Sequence, residues 1–421
     1  PYTSVVHDNS CIFLVIVPLL IGVLYYFQLF QAAKIQKRTY KSYFFLRKLH
    51  FSVFLLDKNL FFYGFLLILQ NHITKILLWM KKKIVFIMNP ISGTSSKAAI
   101  PSLIESTLNK ELFEYEIRMT ERAGHASEIA TEAKDNHVDI VVAVGGDGTI
   151  NEVARSIVHS DTALGIIPCG SGNGLARHLL IPMNLRKSIE IINHCEIHDL
   201  DYGVINEYPF FCTCGMGFDA FVSMKFAESG KRGPISYAEN ILREGLKYQP
   251  ETYTLEDETG TKQYKAFLIS CANASQYGNN AYIAPQASMS DGLMDVIIME
   301  PFDVLEAPQV SFDMFNKTLD KNSKIKSFRC KKLHITRSQP GVIHYDGDPV
   351  MSGTEIDVHL EEKGIKMIVN PYADKNARKP NAIQTAFTEF FNDLNAMRDD
   401  FNKQSKKVEA LSKLVQRKLN I

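Results

Sequence analysis

The sequence predicts a two-domain α/β protein, in which a parallel sheet flanked by helices precedes a mostly antiparallel β-sandwich domain. Strand-like and helical runs alternate between Ile84 and Ile167, as they do in βαβ units. After Asp199, strand-like runs follow one another with turn signals between them, which is typical of a sandwich or flattened barrel. Beyond Asn381, apolar residues recur at helical spacing and predict a C-terminal amphipathic helix.

The first domain is predicted to span 80–200. Its short apolar runs predict strands, and the longer segments between them have one apolar stripe and predict helices. In chain order the elements are strand Ile84–Met88, a helix ending near Leu108, strand Phe113–Met119, helix Ala126–Asn136, strand Val138–Val144, helix Ile150–His159 and strand Ala163–Ile167.

The second domain is predicted to span 201–375 and to be rich in strands. One helical insert, Ser236–Tyr248, interrupts it. The strand-like runs are Phe210–Cys214, Thr252–Gly260, Gln263–Ile269, Leu293–Met299, Lys331–Ile335, Ile343–Tyr345, Ile356–Leu360 and Ile365–Val369. Two such domains leave a cleft between them, the usual place for a ligand.

The terminal segments, 1–79 and 376–421, differ in composition from the rest. Cys11–Ala33 is uncharged, mostly apolar and long enough to span a bilayer. However, no methionine precedes Met80, which leads directly into the first predicted strand. We therefore expect 1–79 to come from an over-extended reading frame rather than to be an anchor. The tail is predicted to be a basic amphipathic helix, which packs on its own chain, on a twin subunit or on a membrane.

Composition excludes some classes of function. With a net charge of +1 over 421 residues, the chain has no global attraction for nucleic acid, and no nucleic-acid partner is predicted. The 7 cysteines lack the spacing of a zinc site, so we expect buried, reduced thiols. This cysteine usage is typical of a reducing compartment.

Gly145–Thr149, with the sequence Gly-Gly-Asp-Gly-Thr, is the most informative segment. It follows an apolar strand and precedes a helix, so backbone N–H groups and the helix dipole favour an anion there. Thr149 and Glu152 have the spacing of a capping box. Asp147 would repel a phosphate unless a divalent cation stood between them. The segment therefore predicts a nucleotide phosphate accompanied by Mg²⁺.

Two further loops follow predicted parallel strands, namely Asn89–Gly93 and Pro168–Gly174. Ligands of parallel sheets bind beyond the carboxyl ends of the strands. Three glycine-containing loops on the same rim are much stronger evidence of a phosphate site than any one of them alone.

Gly145–Val153 closely resembles the nucleotide-binding signature of the diacylglycerol kinase catalytic domain family, which includes bacterial lipid kinases and sphingosine and ceramide kinases. Further matches follow in the family's order, at Asn89–Gly93, Thr120–Ala126, Pro168–Arg177, Ala284–Pro285, Asp291–Asp295 and Asp346–Asp348. They extend from about Met80 to about Pro371. The resemblance implies a fold like that of NAD kinases and diacylglycerol kinases, and ATP- and Mg²⁺-dependent phosphorylation of a lipid hydroxyl.

The resemblance also implies roles for individual residues. Asp147 and Asp346 would be catalytic, the first holding Mg²⁺ through water and the second orienting or deprotonating the hydroxyl. Asp291 and the backbone of Leu293 would hold a second, structural Mg²⁺. The nucleotide would contact Asn89, Ser92, Thr120, Gly145, Gly146, Gly148, Thr149, Gly172, Lys231 and Arg232.

Several alternatives stay open at this point. Asp346 could be a plain turn aspartate, because Asp-Gly is a common turn pair, and a hairpin turn explains Asp291-Gly292 nearly as well as a metal does. An NAD kinase shares the Gly-Gly-Asp-Gly-Thr turn, although Asn151-Glu152-Val153 favours a lipid kinase. A sphingoid-base kinase and a non-catalytic, membrane-bound module that senses nucleotide or lipid are the other readings.

The acceptor implied by the resemblance is a lipid such as diacylglycerol, used in phospholipid metabolism. We therefore expect a cytoplasmic protein, peripheral at the inner face of the membrane, and integral only if residues 11–33 form a real span. The basic C-terminal helix is the expected membrane contact, and a homodimer is left open.

Overall fold

The chain divides into two units, Pro1–Trp79 and Met80–Ile421. The computed structural model describes residues 81–90, 98–229, 248–303 and 305–373, all in the second unit. The expectations for 1–79, for the C-terminal helix and for all but the last residue of the helical insert lie outside these ranges. Among the described residues, no helix is long and apolar enough to cross a membrane.

The first domain begins with four parallel strands in the spatial order β2-β1-β3-β4. The strands are β1 (Lys82–Met88), β2 (Phe113–Met119), β3 (Ile140–Gly145) and β4 (Ala163–Pro168). The helices are α1 (Ile100–Thr107), α2 (His125–Asp135), α3 (Asp147–Ile157), α4 (Gly174–His178) and α5 (Leu185–His194). Every residue of β3 and β4 is buried, as expected for central parallel strands covered on both faces.

The remaining elements are mostly strands. They are β5 (Ile197–Ile205), β6 (Tyr208–Phe210), β7 (Thr213–Gly217), α6 (Phe218–Ser229), β8 (Glu251–Asp257), β9 (Gly260–Ala266), β10 (Leu268–Ala272), β11 (Met294–Met299), α7 (Ala307–Asn316), a 3₁₀ turn (Leu319–Lys321), β12 (Ile325–Cys330), β13 (Lys332–Arg337), β14 (Gly341–Tyr345), β15 (Asp348–Ser352) and β16 (Glu355–Ile368). The predicted α/β domain with a second, antiparallel domain is confirmed.

A second sheet has the order β12-β11-β10-β7-β14-β15, while the first sheet continues beyond β4 into β16, β13, β8 and β9. A hydrophobic core that includes Phe210, Tyr253, Ile269 and Ile343 draws on strands of both sheets. These two sheets therefore form a sandwich.

Strand β16 belongs to both domains. Its first part pairs with β13 from Lys332 to Thr336, and Met367 pairs with Leu164 of β4. Ile365 and Met367 are buried in the core of the parallel sheet, whereas Ile356 is buried in the sandwich core.

Several predicted strand boundaries differ from the structure, and the run Phe210–Cys214 takes in the end of β6 and the start of β7, which lie in different sheets. The run Gln263–Ile269 contains parts of β9 and β10, which lie in different sheets, so the chain leaves one sheet between Ala266 and Leu268. The runs Ile356–Leu360 and Ile365–Val369 are instead parts of one strand, β16, with an irregular register between Glu361 and Ile365. Within that irregularity Lys363 has a φ of 54°, which interrupts the alternation that marks a strand in the sequence.

Candidate active site

The carboxyl ends of the central parallel strands meet at one rim, as expected. Met88 is the register partner of Val144, and Gly145 is the partner of Pro168. Thr120 is joined to the same rim, because its backbone N–H donates to the Met88 carbonyl at 2.9 Å. The predicted nucleotide-binding residues that the structure describes lie around this rim, namely Asn89, Thr120, Gly145, Gly146, Gly148, Thr149 and Gly172. Ser92, Lys231 and Arg232 fall outside the described residues.

Helix α3 begins at Asp147 and not at Thr149, so the predicted capping box is wrong. Gly146 is the N-cap residue, and no side chain caps the helix. Thr149 is buried inside the first turn, where its Oγ1 would lie only 2.6 Å from a Cβ on Gly145. The carboxylate of Glu152 accepts the N–H of Gly124 at 3.3 Å instead of turning back to the N-cap.

Asp147 connects two of the rim loops. Its Oδ2 accepts the N–H of Asn173 at 2.8 Å, and its Oδ1 accepts the N–H of Gly174 at 2.7 Å. Burial raises the pKa of Asp147, although these two N–H groups and the charge of Arg177 oppose that rise. The carboxylate therefore fixes the start of α4 against the start of α3.

Asn173 shapes the third loop, a role that the sequence reasoning did not assign. It is buried, has a φ of 52°, and its side chain bonds both the N–H and the carbonyl of Gly170. Asparagine tolerates positive φ better than most residues, and this preference is the signal that could have identified it. The loop then lies so close to α3 that a Cβ on Gly170 would be 2.5 Å from the Cα of Gly146.

The second domain contacts this loop through Gly278 and Asn279. The N–H of Asn279 donates to the carbonyl of Gly172 at 3.0 Å. Gly278 has a φ of 123°, and a Cβ there would lie 3.1 Å from the Gly172 backbone. Glycine is therefore required at 278 both for its conformation and for the close approach.

Asp346 occupies the hairpin turn between β14 and β15. Asp346 and Gly347 both have positive φ, 52° and 87°, as a type I′ turn requires, so the turn reading is correct for the backbone. The side chain has a second role, because its oxygens accept N–H groups of Phe211, Cys212 and Thr213 at 2.8, 2.7 and 3.1 Å. The carboxylate is therefore held in one orientation.

The charges of both aspartates act on one buried thiol, that of Cys212. Burial is the main cause that raises the pKa of Cys212, and the negative charges of Asp346 and Asp147 raise it further. Burial also raises the pKa of Asp346, against the charge of Arg155 and the three N–H groups. The fold thus brings together the two residues expected to be catalytic.

The geometry at Asp147 fits a water-mediated Mg²⁺ site. The carboxylate accepts the N–H groups of Asn173 and Gly174 and a bond from its own N–H. The two oxygens together offer about four lone-pair sites, so capacity remains for a metal-bound water. Magnesium is commonly held by one or two carboxylates together with substrate phosphates. Among the described residues, no group of three or more His, Cys, Asp or Glu side chains is placed to hold a metal ion by itself, so phosphates and water would have to complete such a site.

The predicted second Mg²⁺ site, at Asp291 and the backbone of Leu293, has a different environment. The Asp291 carboxylate is ion-paired with Arg329 and accepts the N–H of Leu293 at 3.3 Å. Nε of Arg329 also lies 3.4 Å from Oδ2 of the buried Asp295. A cation at Asp291 would compete with this guanidinium, so the side chains do not fit a metal there.

Comparison with known proteins decides the family. Residues 83–205 match the family described as "Diacylglycerol kinase catalytic domain", and residues 212–359 match the "YegS C-terminal NAD kinase beta sandwich-like domain". "Probable lipid kinase YegS" of Escherichia fergusonii is 30% identical over 207 residues, which cover 48% of this chain and 69% of that protein. The chain belongs to the diacylglycerol kinase catalytic domain family. The resemblance drawn from the sequence is confirmed.

Other members of this family are similar over longer stretches. A diacylglycerol kinase of Staphylococcus saprophyticus is 26% identical over 280 residues, covering 64% of this chain and 90% of that protein. A crystal structure of a diacylglycerol kinase from Bacillus anthracis has the same fold, with a TM-score of 0.53 at 18% identity and coverage of 69% of this chain and 97% of that one. The crystal structure shows the shared fold. The similarity to proteins named as lipid kinases and diacylglycerol kinases supports a lipid kinase, a phosphotransferase, as the class of this family member.

Proposed function

We propose that this protein transfers the γ-phosphoryl group of ATP to a hydroxyl of a lipid, diacylglycerol or a related lipid alcohol, in a Mg²⁺-dependent reaction of phospholipid metabolism. The observation that carries the proposal is the way backbone N–H groups hold the two carboxylates. Asp147 accepts the N–H groups at the start of α4, and Asp346 accepts three N–H groups of the segment that contains Cys212, whose thiol is within reach of both charges. One aspartate opens the helix of the nucleotide loop, and the other is fixed in a hairpin of the second domain.

In the proposed reaction, the N-terminus of α3 and the rim loops hold the phosphates of ATP. When bound, Mg²⁺ would supply charge neutralisation at those phosphates, and Asp147 would hold it through water. Asp346 orients the lipid hydroxyl and accepts its proton as the hydroxyl oxygen forms a bond to the γ-phosphorus and ADP leaves. The three N–H groups on Asp346 keep its carboxylate in place during this transfer.

Partners and location follow from the same proposal. The acceptor lies in a bilayer and ATP is cytosolic, so we propose that the reaction takes place at the inner face of the membrane, with the basic tail at 376–421 as the membrane contact. An NAD kinase is the second candidate, because the second domain matches an NAD kinase-like sandwich family.

The test uses radiolabelled ATP and Mg²⁺ with the full chain in mixed micelles. Diacylglycerol, monoacylglycerol, sphingosine, ceramide and NAD are offered as separate acceptors. We expect label in a lipid and not in NAD, and a fall of about 100-fold or more in the Asp346→Asn variant. Asp257→Asn is the matched control, because Asp257 also closes a hairpin but lies on the β8–β9 pair. Label in NAD alone, or full activity of Asp346→Asn, would refute the proposal.

A further inference from the structure

Arg155 lies in the last turn of α3, and its guanidinium reaches the hairpin that carries Asp346. Nη1 lies 2.9 Å from Oδ2 of Asp348, and Nη2 donates to the Tyr345 carbonyl at 3.5 Å. Nε donates to the carbonyl of Pro209 in β6 at 3.2 Å. One side chain of the nucleotide domain therefore holds both strands of the hairpin and the neighbouring strand.

The contact includes an aromatic stack. The Arg155 guanidinium lies 4.5 Å from the ring centroid of Tyr345, which stacks on Tyr208 at 4.7 Å with an interplanar angle of 19°. The Arg155 side chain is only 22% exposed, whereas that of Asp348 is 50% exposed. An exposed ion pair alone contributes little to stability, so the carbonyl bonds and the ring contact matter more. A planar guanidinium can make all of these contacts at once, and a lysine ammonium cannot.

Arg155 and the Asp346 carboxylate act on the same segment. Arg155 holds the carbonyl of Pro209, and Asp346 accepts the N–H groups of Phe211 and Cys212. Loss of the bond to the Pro209 carbonyl would free one end of the segment 209–212. The other end of that segment orients the Asp346 carboxylate. Arg155 therefore ties both the turn and its amide cradle to α3.

The charge of Arg155 also acts on Asp346. The groups that interact electrostatically with Asp346 are Arg155 from α3, Cys212 from the connection between β6 and β7, and Cys214 from β7. On its own hairpin, Nδ1 of His344 accepts the N–H of Gly347, and Asp348 pairs with Arg155. Arg155 is the positive charge that lowers the pKa of Asp346 against burial. Its loss would leave the Asp346 carboxylate harder to ionise.

We propose that Arg155 is a positioning residue for phosphoryl transfer, which holds the Asp346 turn at a fixed place relative to α3, the helix that begins with Asp147. This inference rests on the proposed function, because it assigns Asp346 to the acceptor hydroxyl. The contact between Arg155 and the hairpin would couple the nucleotide-binding side of the proposed site to the acceptor side. Displacements of about 1 Å at a reacting group lower rates by about 100-fold.

The kinetic test compares Arg155→Met, which removes the charge and the fork, with Arg155→Lys, which keeps the charge alone. We expect kcat to fall about 100-fold in the first and about 10-fold in the second, with KM for ATP changed by less than about threefold. In an Asp346→Asn background, Arg155→Met should cause no further loss, because Arg155 acts through Asp346. A kcat within about twofold of wild type, or an equal loss in both backgrounds, overturns the inference.

A second measurement does not depend on activity. Amide hydrogen exchange of Phe211, Cys212 and Thr213 should be faster in Arg155→Met than in wild type, because their acceptor is no longer held. Arg118→Met is the matched control. The side chain of Arg118 is 30% exposed and pairs with a carboxylate, that of Glu132, at 2.8 Å, but Arg118 lies on β2 and not on α3. Unchanged exchange overturns the positioning role. If the wild type phosphorylates no lipid, the proposed function fails, and the exchange result still decides the role of Arg155.

Discussion

At the residue scale, Asp346 meets two demands that few residues satisfy together. Its backbone has a φ of 52°, which aspartate and asparagine tolerate, and its carboxylate accepts three backbone N–H groups. Asparagine is therefore the informative substitution, because it keeps the turn. Alanine would add backbone strain to the loss of the carboxylate.

The pKa of Asp346 predicts the acidic limb of the pH–rate profile. Only the ionised carboxylate accepts a proton, and burial raises its pKa above the ordinary value of about 3.9. As pH falls, kcat should therefore decline at a pH above that value. The measurement is kcat at saturating ATP and lipid across the acidic range, with circular dichroism as the folding check. A kcat that stays constant down to about pH 4 would contradict the assignment of Asp346 as base.

Gly148 and Gly170 provide a matched pair at the rim. A Cβ on Gly148 meets nothing within 4 Å, whereas one on Gly170 would strike the Gly146 backbone at 2.5 Å. We expect Gly170→Ala to lower the free energy of unfolding by about 1–3 kcal/mol. Gly148→Ala should leave stability equal or up to about 1 kcal/mol higher, yet raise KM for ATP, because its methyl group enters the space assigned to phosphate.

Urea titrations and ATP kinetics of the two variants check this prediction. An unchanged KM in Gly148→Ala would show that the phosphates do not pass over the first turn of α3. Equal free energies of unfolding for the two variants would show that the Gly170 loop can move away from Gly146 without loss of stability.

At the element scale, the pairing of β11 with β12 places Arg329 beside two aspartates. We expect Arg329→Met to lower the free energy of unfolding by about 1–3 kcal/mol, since the buried Asp295 carboxylate loses its cation. Millimolar Mg²⁺ should then recover part of the loss in the variant and have little effect on wild type. Thermal unfolding with and without Mg²⁺ measures this, and Lys331→Met, which breaks the exposed pair with Glu362, is the control. The same gain in wild type would show that a metal binds at Asp291 alongside Arg329.

The sequence predicts elements well where the burial pattern is simple. Strand β2 was placed at its observed residues, Phe113–Met119, and the fully buried β4 to within one residue. The start of α3 was misplaced because Thr149 has capping-box spacing but is needed inside the first turn to pack on Gly145. Helix α5 was not predicted, although Asn184 caps it by accepting the N–H of Lys187.

The candidate site could be predicted only in part. Glycine-rich loops and Asp-Gly pairs are local signals, so Asp147 and Asp346 were found. Asn173 carries a local signal, its tolerance of positive φ, but that signal does not by itself indicate a site residue. Arg155 acts through contacts with a distant segment and is 193 residues from its ion-pair partner Asp348. No local spacing encodes such a contact.

At the scale of the whole molecule, β16 makes the two domains interdependent. A fragment of residues 80–200 lacks Ile365, Met367 and Ile368, which are buried in the core of the parallel sheet. It also leaves β4 without β16, one of its two neighbours. We expect this fragment to unfold without a cooperative transition, whereas a fragment of residues 80–373 unfolds cooperatively. Differential scanning calorimetry of the two fragments is the measurement. A sharp, reversible transition in the shorter fragment would contradict the prediction.

The continuity of β16 also bears on how substrates enter and leave. A motion that separated the two cores would have to bend a strand that is hydrogen-bonded to β5 and β13 on its two sides. Such a strand is stiff compared with a linker, so the spacing between the phosphate loops and the Asp346 turn is set by the backbone itself. In the proposed reaction, exchange of ADP for ATP would then depend on the rim loops, because loop motions are faster than domain opening.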